Sequence, residues 1–273
     1  MELLLGKPVS EKLKNELKVK VLNKKRKPFL QILLNNKDDS SIGYTNMICK
    51  VANEIGIEVE IKRVNAPEEY VEFIDVINKD KNIDACLITR PLVKGSDENQ
   101  IFSLLNPKKD ADAVNYQSLG RILTGDERFV PNTSLAIIKL LEFYNIELTG
   151  KKVLVIGRSL SVGKPVSLLL LNRNATVTVA HSRTNCLSEE LKNYDIIIAA
   201  LGKPHFIDGS LAKEGAIIID AGIHYLESGI VGDVKPSDKL SYISKVPGGV
   251  GIITTSCLME TVVSCYEENT NDL

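Results

Sequence analysis

The amino-acid sequence predicts an α/β protein of two α/β domains, the second a doubly wound parallel sheet. Short runs rich in Val and Ile alternate with segments whose apolar residues recur at helical spacing. Residues 153–156 and 216–220 are apolar almost throughout, as strands are when both faces of a parallel sheet are covered. Gly157 and Gly163 separate the first of these runs from an apolar helix, which is the pattern of a strand–turn–helix unit.

The first half of the chain predicts alternating helices and strands. A lysine-rich segment, residues 8–25, repeats apolar residues every four positions, as a surface helix does. Ser40 or Ser41 suits the N-cap of the next helix, which Gly56 ends, and Pro67 suits the first turn of a third. The predicted strands are residues 28–34, 57–64 and 83–89, and the predicted helices are residues 8–25, 41–52, 67–78 and 99–105.

The second half predicts the larger parallel sheet. Residues 108–128 have no strong periodicity, so we predict loops there, followed by a helix that leads into the second domain. We predict strands at residues 153–156, 175–180, 195–200 and 216–220, and helices at residues 134–145, 164–171, 188–192 and 254–267.

Composition excludes several classes of protein. The 273 residues suit two modest domains, and a net charge of −1 argues against a general binder of nucleic acid or of membrane surfaces. No apolar run approaches the ~20 residues that span a bilayer. The first residues lack the basic start of a secretory signal, so we expect a cytoplasmic protein. The five cysteines form no C-x-x-C pair or Cys/His cluster, so we expect reduced thiols and no metal site.

The turn between Gly157 and Gly163 is a candidate phosphate site. A glycine at the strand end permits a tight turn, and a second glycine permits close approach of the backbone to a ligand at the helix N-terminus. Ser159 stands where the usual middle glycine would be, so the motif alone is also compatible with an ordinary strand-to-helix turn.

The end of the next strand favours NADP over NAD as the cofactor. An NAD site would carry an acidic residue there to hold the ribose hydroxyls, and this chain has none. Instead Arg158 lies in the first turn, and Ser182, Arg183 and Thr184 follow the second strand. Cations and hydroxyls suit a 2′-phosphate. The alternative is that Arg183 is a solvated loop charge.

Taken together, the motifs resemble those of the bifunctional methylenetetrahydrofolate dehydrogenase/cyclohydrolase (FolD) family over essentially the full chain. No single motif is specific, but their order and spacing are. The matching segments are residues 157–165 (Gly-Arg-Ser-x-x-Val-Gly-x-Pro), 175–184, 215–223 with Ile-Asp-Ala-Gly-Ile, 232–234 (Gly-Asp-Val) and 246–251 (Val-Pro-Gly-Gly-Val-Gly), with weaker matches at Ser41-x-x-Tyr44, residues 109–112, and Leu119-Gly with Gly125.

The resemblance implies an organisation and a set of ligands. It implies a folate-side catalytic domain, residues 1–132 plus 254–273, and a Rossmann-type NADP domain, residues 133–253, with a cleft between them. It also implies a tetrahydrofolate derivative as substrate and a cytoplasmic homodimer without nucleic-acid or membrane partners.

The resemblance also implies roles for individual residues. Tyr44 would pack its ring on the folate, and Asp112 would accept hydrogen bonds from the pterin N–H groups, so we expect these two as catalytic residues. The other substrate-binding residues would be Thr89, Pro247, Gly248 and Gly249, and the cofactor-binding residues would be Gly157, Arg158, Ser159, Gly163, Ser182, Arg183 and Ile223.

Each of these roles has an ordinary structural alternative. Tyr44 is compatible with a half-buried helix tyrosine, Asp112 with a turn residue that bonds to its own backbone, and residues 247–249 with a plain turn. We expect His181 to be structural, and Asp220 suits a cap of the turn that follows it.

Several positions depart from the family pattern. Ile48 stands where the family's Ser-x-x-Tyr-x-x-x-Lys helix carries its lysine, and Lys50 is about 200° further round the helix. The family's Val-Gln-Leu-Pro segment is Ile-Thr-Arg-Pro here, so Thr89 replaces the glutamine and Arg90 the leucine. Further departures are Ala113, Asn132, Ser134, Ala136 and Ile252.

These departures predict that one of the family's two reactions is impaired. Hydride transfer from methylenetetrahydrofolate needs no acid–base residue, whereas hydration of the methenyl product needs a group that takes a proton from water. We therefore expect a dehydrogenase with weak or absent cyclohydrolase activity. The alternatives are an NADP-binding oxidoreductase of altered substrate and a catalytically silent nucleotide-binding paralogue. Arg90, Lys108 and Lys109 are the cations that could replace the missing lysine.

Overall fold

Helices and strands alternate along the chain, as the sequence predicts. The computed structural model describes residues 1–227 and 229–270. The strands are β1 (Glu2–Leu4), β2 (Phe29–Asn35), β3 (Glu58–Val64), β4 (Ala85–Ile88), β5 (Lys152–Ile156), β6 (Thr176–Ala180), β7 (Ile196–Ala199), β8 (Ile207–Asp208), β9 (Ile217–Asp220), β10 (His224–Leu226), β11 (Gly229–Val231), β12 (Val234–Lys235) and β13 (Tyr242–Ser244). The α-helices are α1 (Gly6–Leu22), α2 (Asp39–Ile55), α3 (Pro67–Lys79), α4 (Glu98–Leu104), α5 (Tyr116–Leu123), α6 (Asn132–Phe143), α7 (Gly163–Asn172), α8 (Leu187–Glu190) and α9 (Val250–Thr270). Within the described residues, no helix is both long enough and apolar enough to cross a membrane.

Met1–Glu11 and Pro131–Thr254 form one compact unit, the six-stranded unit. Its main sheet has the strand order β1-β13-β9-β7-β5-β6, and every pairing in it is parallel. The central strands β5, β7 and β9 are buried almost throughout, which explains their continuous apolar sequences. The first eleven residues, which the sequence-based division groups with residues 12–132, pack in this compact unit because β1 pairs with β13.

The second compact unit, the three-stranded unit, comprises Lys12–Val130 and the described residues from Thr255 onward. Its parallel sheet has the order β3-β2-β4. One core cluster of this unit includes Leu33, Tyr70 and Ile74, each almost fully buried.

Helix α2 starts differently from the prediction. Its N-cap is Asp38, whose carboxylate accepts a hydrogen bond from the Ser41 N–H at 2.7 Å, rather than Ser40 or Ser41. The Ser41 hydroxyl instead donates to the Arg90 carbonyl at 2.9 Å, so the first turn of α2 is tied to the chain that follows β4.

The prediction of loops throughout residues 108–128 is wrong for Tyr116–Leu123, which forms α5. Asn115 caps this helix by accepting from the Gln117 N–H at 2.9 Å. The helix is only eight residues long and carries Gly120, so its periodicity is weak in the sequence.

A buried carboxylate organises the turn that precedes α5. Asp110 is 2% exposed and accepts hydrogen bonds from the backbone N–H groups of Asp112, at 3.2 Å, and Asn115, at 2.6 Å. Burial, together with the negative charge of Asp112, raises the pKa of Asp110 to about 6. The turn that carries Asp112 is thus built on a carboxylate with little access to solvent.

A buried carboxylate, that of Asp220, organises a turn of the six-stranded unit in the same way. Asp220 accepts from the N–H groups of Gly222, Asp233 and Val234 at 2.9–3.0 Å, which confirms it as a cap of the following turn. A Cβ on Gly232 would lie 2.0 Å from the Asp220 Oδ2. Glycine is therefore required at position 232 by the carboxylate that it faces.

Gly232→Ala should destabilise the protein by about 2–4 kcal/mol, because the new methyl group must displace a carboxylate that holds three backbone N–H groups. Gly120→Ala is the matched control, since no atom lies within 4 Å of a Cβ at that helix position. We expect the control to be neutral or up to about 1 kcal/mol more stable. Urea unfolding measures both variants, and a Gly232→Ala protein as stable as wild type would contradict this account.

The Asp110 carboxyl should give stability a pH dependence. Its pKa in the folded chain, about 6, is above the ordinary value of 3.8, so the folded state binds the proton more tightly than the unfolded state. Stability contributed by this group therefore falls as pH rises from about 4 to 6, by roughly 3 kcal/mol in total. The amide that Asp110→Asn introduces cannot ionise, so the stability of wild type relative to this variant should decrease as pH rises from about 4 to 6. A constant difference in urea unfolding across this range would refute the assignment.

Candidate functional site

The turn after β5 is tightly built around its two glycines. Gly157 has φ +129°, and a Cβ there would lie 2.2 Å from the Ala200 carbonyl oxygen. Gly163 opens α7, and its Cβ would lie 2.2 Å from the Gly157 carbonyl oxygen. The Ser134 hydroxyl of α6 donates to the carbonyls of Ser161 and Val162 at 3.2 and 3.1 Å. The turn thus holds its shape through close backbone contacts that side chains would prevent.

Ser159 partly replaces the missing middle glycine. Its hydroxyl oxygen accepts from the N–H groups of Val162 and Gly163 at 3.2 and 3.4 Å, at the start of α7. A hydroxyl that accepts two bonds still has one hydrogen to donate, so Ser159 can serve a phosphate oxygen while it caps the helix. Arg158, beside it, is exposed.

The turn after β6 presents its polar side chains outward. The His181 Nδ1 accepts from the Arg183 N–H at 3.1 Å, and the Thr184 hydroxyl accepts from the His181 N–H at 2.9 Å. His181 therefore has the structural role predicted for it. These bonds use the backbone of the turn and leave the side chains of Ser182 and Arg183 exposed.

The two turns lie side by side at the carboxyl edge of the six-stranded sheet. Ile156, the last residue of β5, is in register with Ala180, the last residue of β6. The chain passes from β5 to β6 on one side and later to β7 on the other, so the strand order reverses at β5. Open parallel sheets bind ligands at such a reversal, outside the carboxyl ends of the strands.

The remaining predicted cofactor and loop residues follow other strands of this sheet. Ile223 comes after β9 and is 51% exposed. Pro247, Gly248 and Gly249 follow β13, and Gly248 has φ +110°. The Gly248 carbonyl accepts from the Gly6 N–H at 2.8 Å, and a Cβ on Gly6 would lie 2.0 Å from the Gly249 carbonyl oxygen. Gly6 was not singled out from the sequence, although a glycine directly after an apolar run was a usable signal.

The loop after β7, residues 201–203, is a part of this sheet edge that no sequence pattern indicates. The Asp233 carboxylate accepts from the backbone N–H groups of Leu201, Gly202 and Lys203 at 2.7–3.0 Å. Its Oδ1 also lies 2.7 Å from the His224 Nε2. No motif in the sequence marks this loop, yet a buried aspartate holds it at the same sheet edge as the glycine turn.

These residues fit a dinucleotide phosphate. The fit rests on the close approach at Gly157 and Gly163, the hydroxyl of Ser159, and the exposed cations Arg158 and Arg183 at adjacent strand ends. NADP, once bound there, would accept a hydride at its nicotinamide ring.

The two predicted catalytic residues both lie in the three-stranded unit, where the charge of Asp112 acts on Tyr44. Tyr44 lies on α2 with 36% of its surface exposed, and Asp112 lies beyond β4 on the turn built by Asp110. Desolvation and then the charge of Asp112 raise the pKa of Tyr44 above its ordinary value. Tyr44 thus remains a neutral phenol, able to donate a hydrogen bond or to pack its ring on a ligand.

The structure gives Thr89 a different environment from the one that the resemblance implies. Its side chain is 4% exposed. The hydroxyl donates to the Leu33 carbonyl and accepts from the Asn35 N–H, both at 3.3 Å, so it ties the end of β4 to β2. The only donor hydrogen of Thr89 is used inside the sheet, which does not favour a direct role in binding substrate.

Position 48 is apolar and closed to solvent. Ile48 has no exposed surface and lies on the buried face of α2 with Ser41, Thr45, Ala52 and Ile55. Lys50 is exposed on the same helix, in agreement with its predicted rotation away from position 48.

Two of the three cations that could replace the lysine are committed elsewhere. The Lys109 ammonium donates to the carbonyls of Ile77 and Asp80 at 2.6 and 2.5 Å, where it caps the end of α3. Lys108 pairs with Glu268 at 3.1 Å. Arg90 alone of the three contacts a predicted substrate residue, since its Nη1 lies 3.1 Å from the Asp112 Oδ2.

The described part of the chain holds no cluster of metal-ligating side chains. No group of three or more His, Cys, Asp or Glu residues is placed there to hold an ion. The five cysteines are free thiols, three of them buried.

Two models of one protein family match the two halves of this chain. Residues 4–112 match the family model of the tetrahydrofolate dehydrogenase/cyclohydrolase catalytic domain. Residues 131–270 match the model of the NAD(P)-binding domain of the same family.

Similar proteins cover the whole chain. The bifunctional protein FolD of Dictyoglomus thermophilum is 41% identical over 98% of this chain and 98% of its own length. The FolD methylenetetrahydrofolate dehydrogenase/cyclohydrolase of Campylobacter jejuni has a similar crystal structure, with a TM-score of 0.94, 36% identity and coverage of 98% and 99%. The FolD enzyme of Trypanosoma brucei, solved with NADP and an inhibitor, has a TM-score of 0.91, 29% identity and coverage of 97% of each chain. The chain belongs to the tetrahydrofolate dehydrogenase/cyclohydrolase family.

Proposed function

We propose that this protein oxidises 5,10-methylenetetrahydrofolate to 5,10-methenyltetrahydrofolate with NADP, and that its cyclohydrolase activity is weak or absent. The observation that carries the proposal is a contrast within one helix. Tyr44, whose pKa the charge of Asp112 helps to raise, is retained on α2, whereas one turn later the fully buried Ile48 replaces the family's lysine. The resemblance to the family also supports a cytoplasmic homodimer.

The retained residues suit a reaction that depends on binding. The hydride leaves the bridging carbon of the folate, and the product cation is delocalised over two nitrogens, so no proton moves in this step. Holding the substrate in the right orientation therefore supplies most of the rate. Tyr44 would pack on the folate, and the carboxylate of Asp112 would accept from the pterin N–H groups.

The hydrolytic reaction makes a demand that these residues do not meet. A water molecule must lose a proton as it adds to the methenyl carbon, and a general base commonly contributes about 10²–10⁴-fold to such a step. Ile48 cannot take a proton, the Lys109 ammonium is used as a helix cap, and the pKa of the Tyr44 phenol is raised rather than lowered. The Arg90 guanidinium is a hydrogen-bond donor with no acceptor atom, so it cannot serve as the base.

NADP is supported over NAD by the exposed polar groups at two neighbouring strand ends. Arg158 and Ser159 follow β5, and Ser182 and Arg183 follow β6, and no carboxylate stands among these four residues. The similar Trypanosoma brucei structure is described as complexed with NADP.

The test of the proposal is a paired assay. Wild-type protein should reduce NADP⁺ with methylenetetrahydrofolate while methenyl product accumulates, and it should hydrolyse added methenyltetrahydrofolate hardly faster than buffer. Ile48→Lys should raise the hydrolysis rate at least about 10-fold, since it restores an ammonium group, whereas Ile48→Met, matched for size, should not. Circular dichroism checks that both variants fold, because the lysine enters a buried site.

Each result of the assay decides a part of the proposal. Rapid methenyl hydrolysis by wild type would show that another group activates water. No reduction of either cofactor would reject the dehydrogenase and favour an altered substrate or a silent paralogue.

Arg158→Leu should raise the KM for NADP⁺ at least about 10-fold and leave the KM for NAD⁺ within about 2-fold, because in our proposal Arg158 pairs with the 2′-phosphate, which NAD⁺ lacks. Arg173→Leu is the matched control, since this arginine lies at the opposite end of α7 and pairs with Glu142. Steady-state kinetics with both cofactors measure the effect. Equal increases for NADP⁺ and NAD⁺ would place Arg158 away from the 2′-phosphate.

A further inference from the structure

The Arg90 side chain contacts three other side chains of the three-stranded unit. Its Nε donates to Glu98, its Nη1 lies 3.1 Å from the Asp112 Oδ2, and its Cζ lies 4.3 Å from the centre of the Phe102 ring. Glu98 and Phe102 are four residues apart on α4, so one helix face supplies both a carboxylate and a ring. The guanidinium is thus held along two edges and one face.

The backbone of Arg90 is anchored as well as its side chain. The Ser41 hydroxyl donates to the Arg90 carbonyl at 2.9 Å, and this serine lies one turn before Tyr44 on α2. The residue therefore links three segments: the start of α2, the face of α4 and the turn that carries Asp112. A leucine, which the family pattern has at this position, could not form the ion pairs with Glu98 and Asp112.

An ordinary stabilising role does not account for this arrangement. The side chains of Arg90 and Asp112 are 34% and 26% exposed, and ion pairs with this exposure contribute little to the free energy of folding. What such a contact does fix is position, because the guanidinium, itself held by Glu98 and the Phe102 ring, presents one N–H donor to the Asp112 Oδ2.

We propose that Arg90 is a positioning residue that holds the Asp112 carboxylate for the pterin ring and thereby sets the affinity for the folate substrate. This inference rests on the proposed function, in which Asp112 accepts the pterin N–H groups. A carboxylate has about four acceptor positions, so one bond from Arg90 is compatible with two further bonds to a ligand. Since a guanidinium only donates hydrogen bonds and accepts none, Arg90 contributes to binding and not to proton transfer.

The test is a double-mutant cycle of Arg90→Leu and Asp112→Asn. Arg90→Leu, which introduces the family residue, should raise the KM for methylenetetrahydrofolate about 5- to 30-fold. Its kcat should stay within about 3-fold, and its KM for NADP⁺ within about 2-fold. In the Asp112→Asn background the same change should add less than about 2-fold, because the carboxylate on which Arg90 acts is gone. Arg90→Lys, which keeps the charge without the fork, should be intermediate.

Arg128→Leu is the matched control. Arg128 lies in the same unit and also pairs with two carboxylates, Asp126 and Glu268, but neither of these is a predicted substrate residue. Its loss should leave the KM for folate within about 2-fold. The urea midpoint of Arg90→Leu should shift no more than that of Arg128→Leu, which separates a positioning role from a general loss of stability.

The possible outcomes separate this inference from the proposed function. An unchanged KM in Arg90→Leu, or an equal effect of this change with and without the Asp112 carboxylate, would overturn the role of Arg90 while the dehydrogenase stands. If wild type does not turn over methylenetetrahydrofolate, the proposed function fails, and the same cycle is measured as tetrahydrofolate binding by calorimetry. Non-additive affinities would then still support Arg90, and additive affinities or no binding by wild type would overturn it.

Discussion

Both units depend on one constraint, which is that the carboxyl ends of parallel strands meet at a single edge of the sheet. In the six-stranded unit this edge collects the turns after β5, β6, β7, β9 and β13, which are far apart in sequence. In the three-stranded unit β2 leads into α2, and β4 leads into Arg90. Neighbouring parallel strands run in the same direction, so their carboxyl ends lie next to one another. Side chains that directly follow these strands are therefore close together in space. The positions of the candidate site residues therefore depend first on the topology of the sheet and only then on individual contacts.

Buried carboxylates then give these turns their shape. Asp110, Asp220 and Asp233 each accept two or more backbone N–H groups in places where water has little access. An ionised carboxylate accepts several bonds at once, so one side chain can fix a turn that would otherwise leave its N–H groups without partners. Burial also raises the pKa of Asp110 and of Asp220, since it disfavours the charged form of each carboxyl. Asp110 and Asp220 thus fix the geometry of their turns while their burial opposes their ionisation.

The sequence was sufficient for the features that follow from periodicity and insufficient for those that follow from tertiary contact. The strands β5 and β9 could be predicted because a strand that is buried on both faces is a continuous apolar run in the sequence. Strand β1 was missed because its three residues gain their conformation only by pairing with β13, near the other end of the chain. The motif that contains Asp112 was found, whereas its contact with Arg90 was not, since no local pattern indicates which carboxylate an arginine will meet.

The replacements at positions 48 and 90 have a common chemical meaning. Where the family carries a lysine, whose proton can be exchanged when its pKa is lowered, this chain has a buried Ile48. Where the family carries an apolar leucine, this chain has Arg90, which only donates hydrogen bonds and which contacts Asp112. The chain therefore keeps a cation near the proposed pterin anchor but in a form that cannot transfer a proton. Binding and orientation, which hydride transfer requires, are compatible with such a cation, whereas activation of water is not. The proposed preference for hydride transfer over hydrolysis therefore rests on both substitutions and not on either one alone.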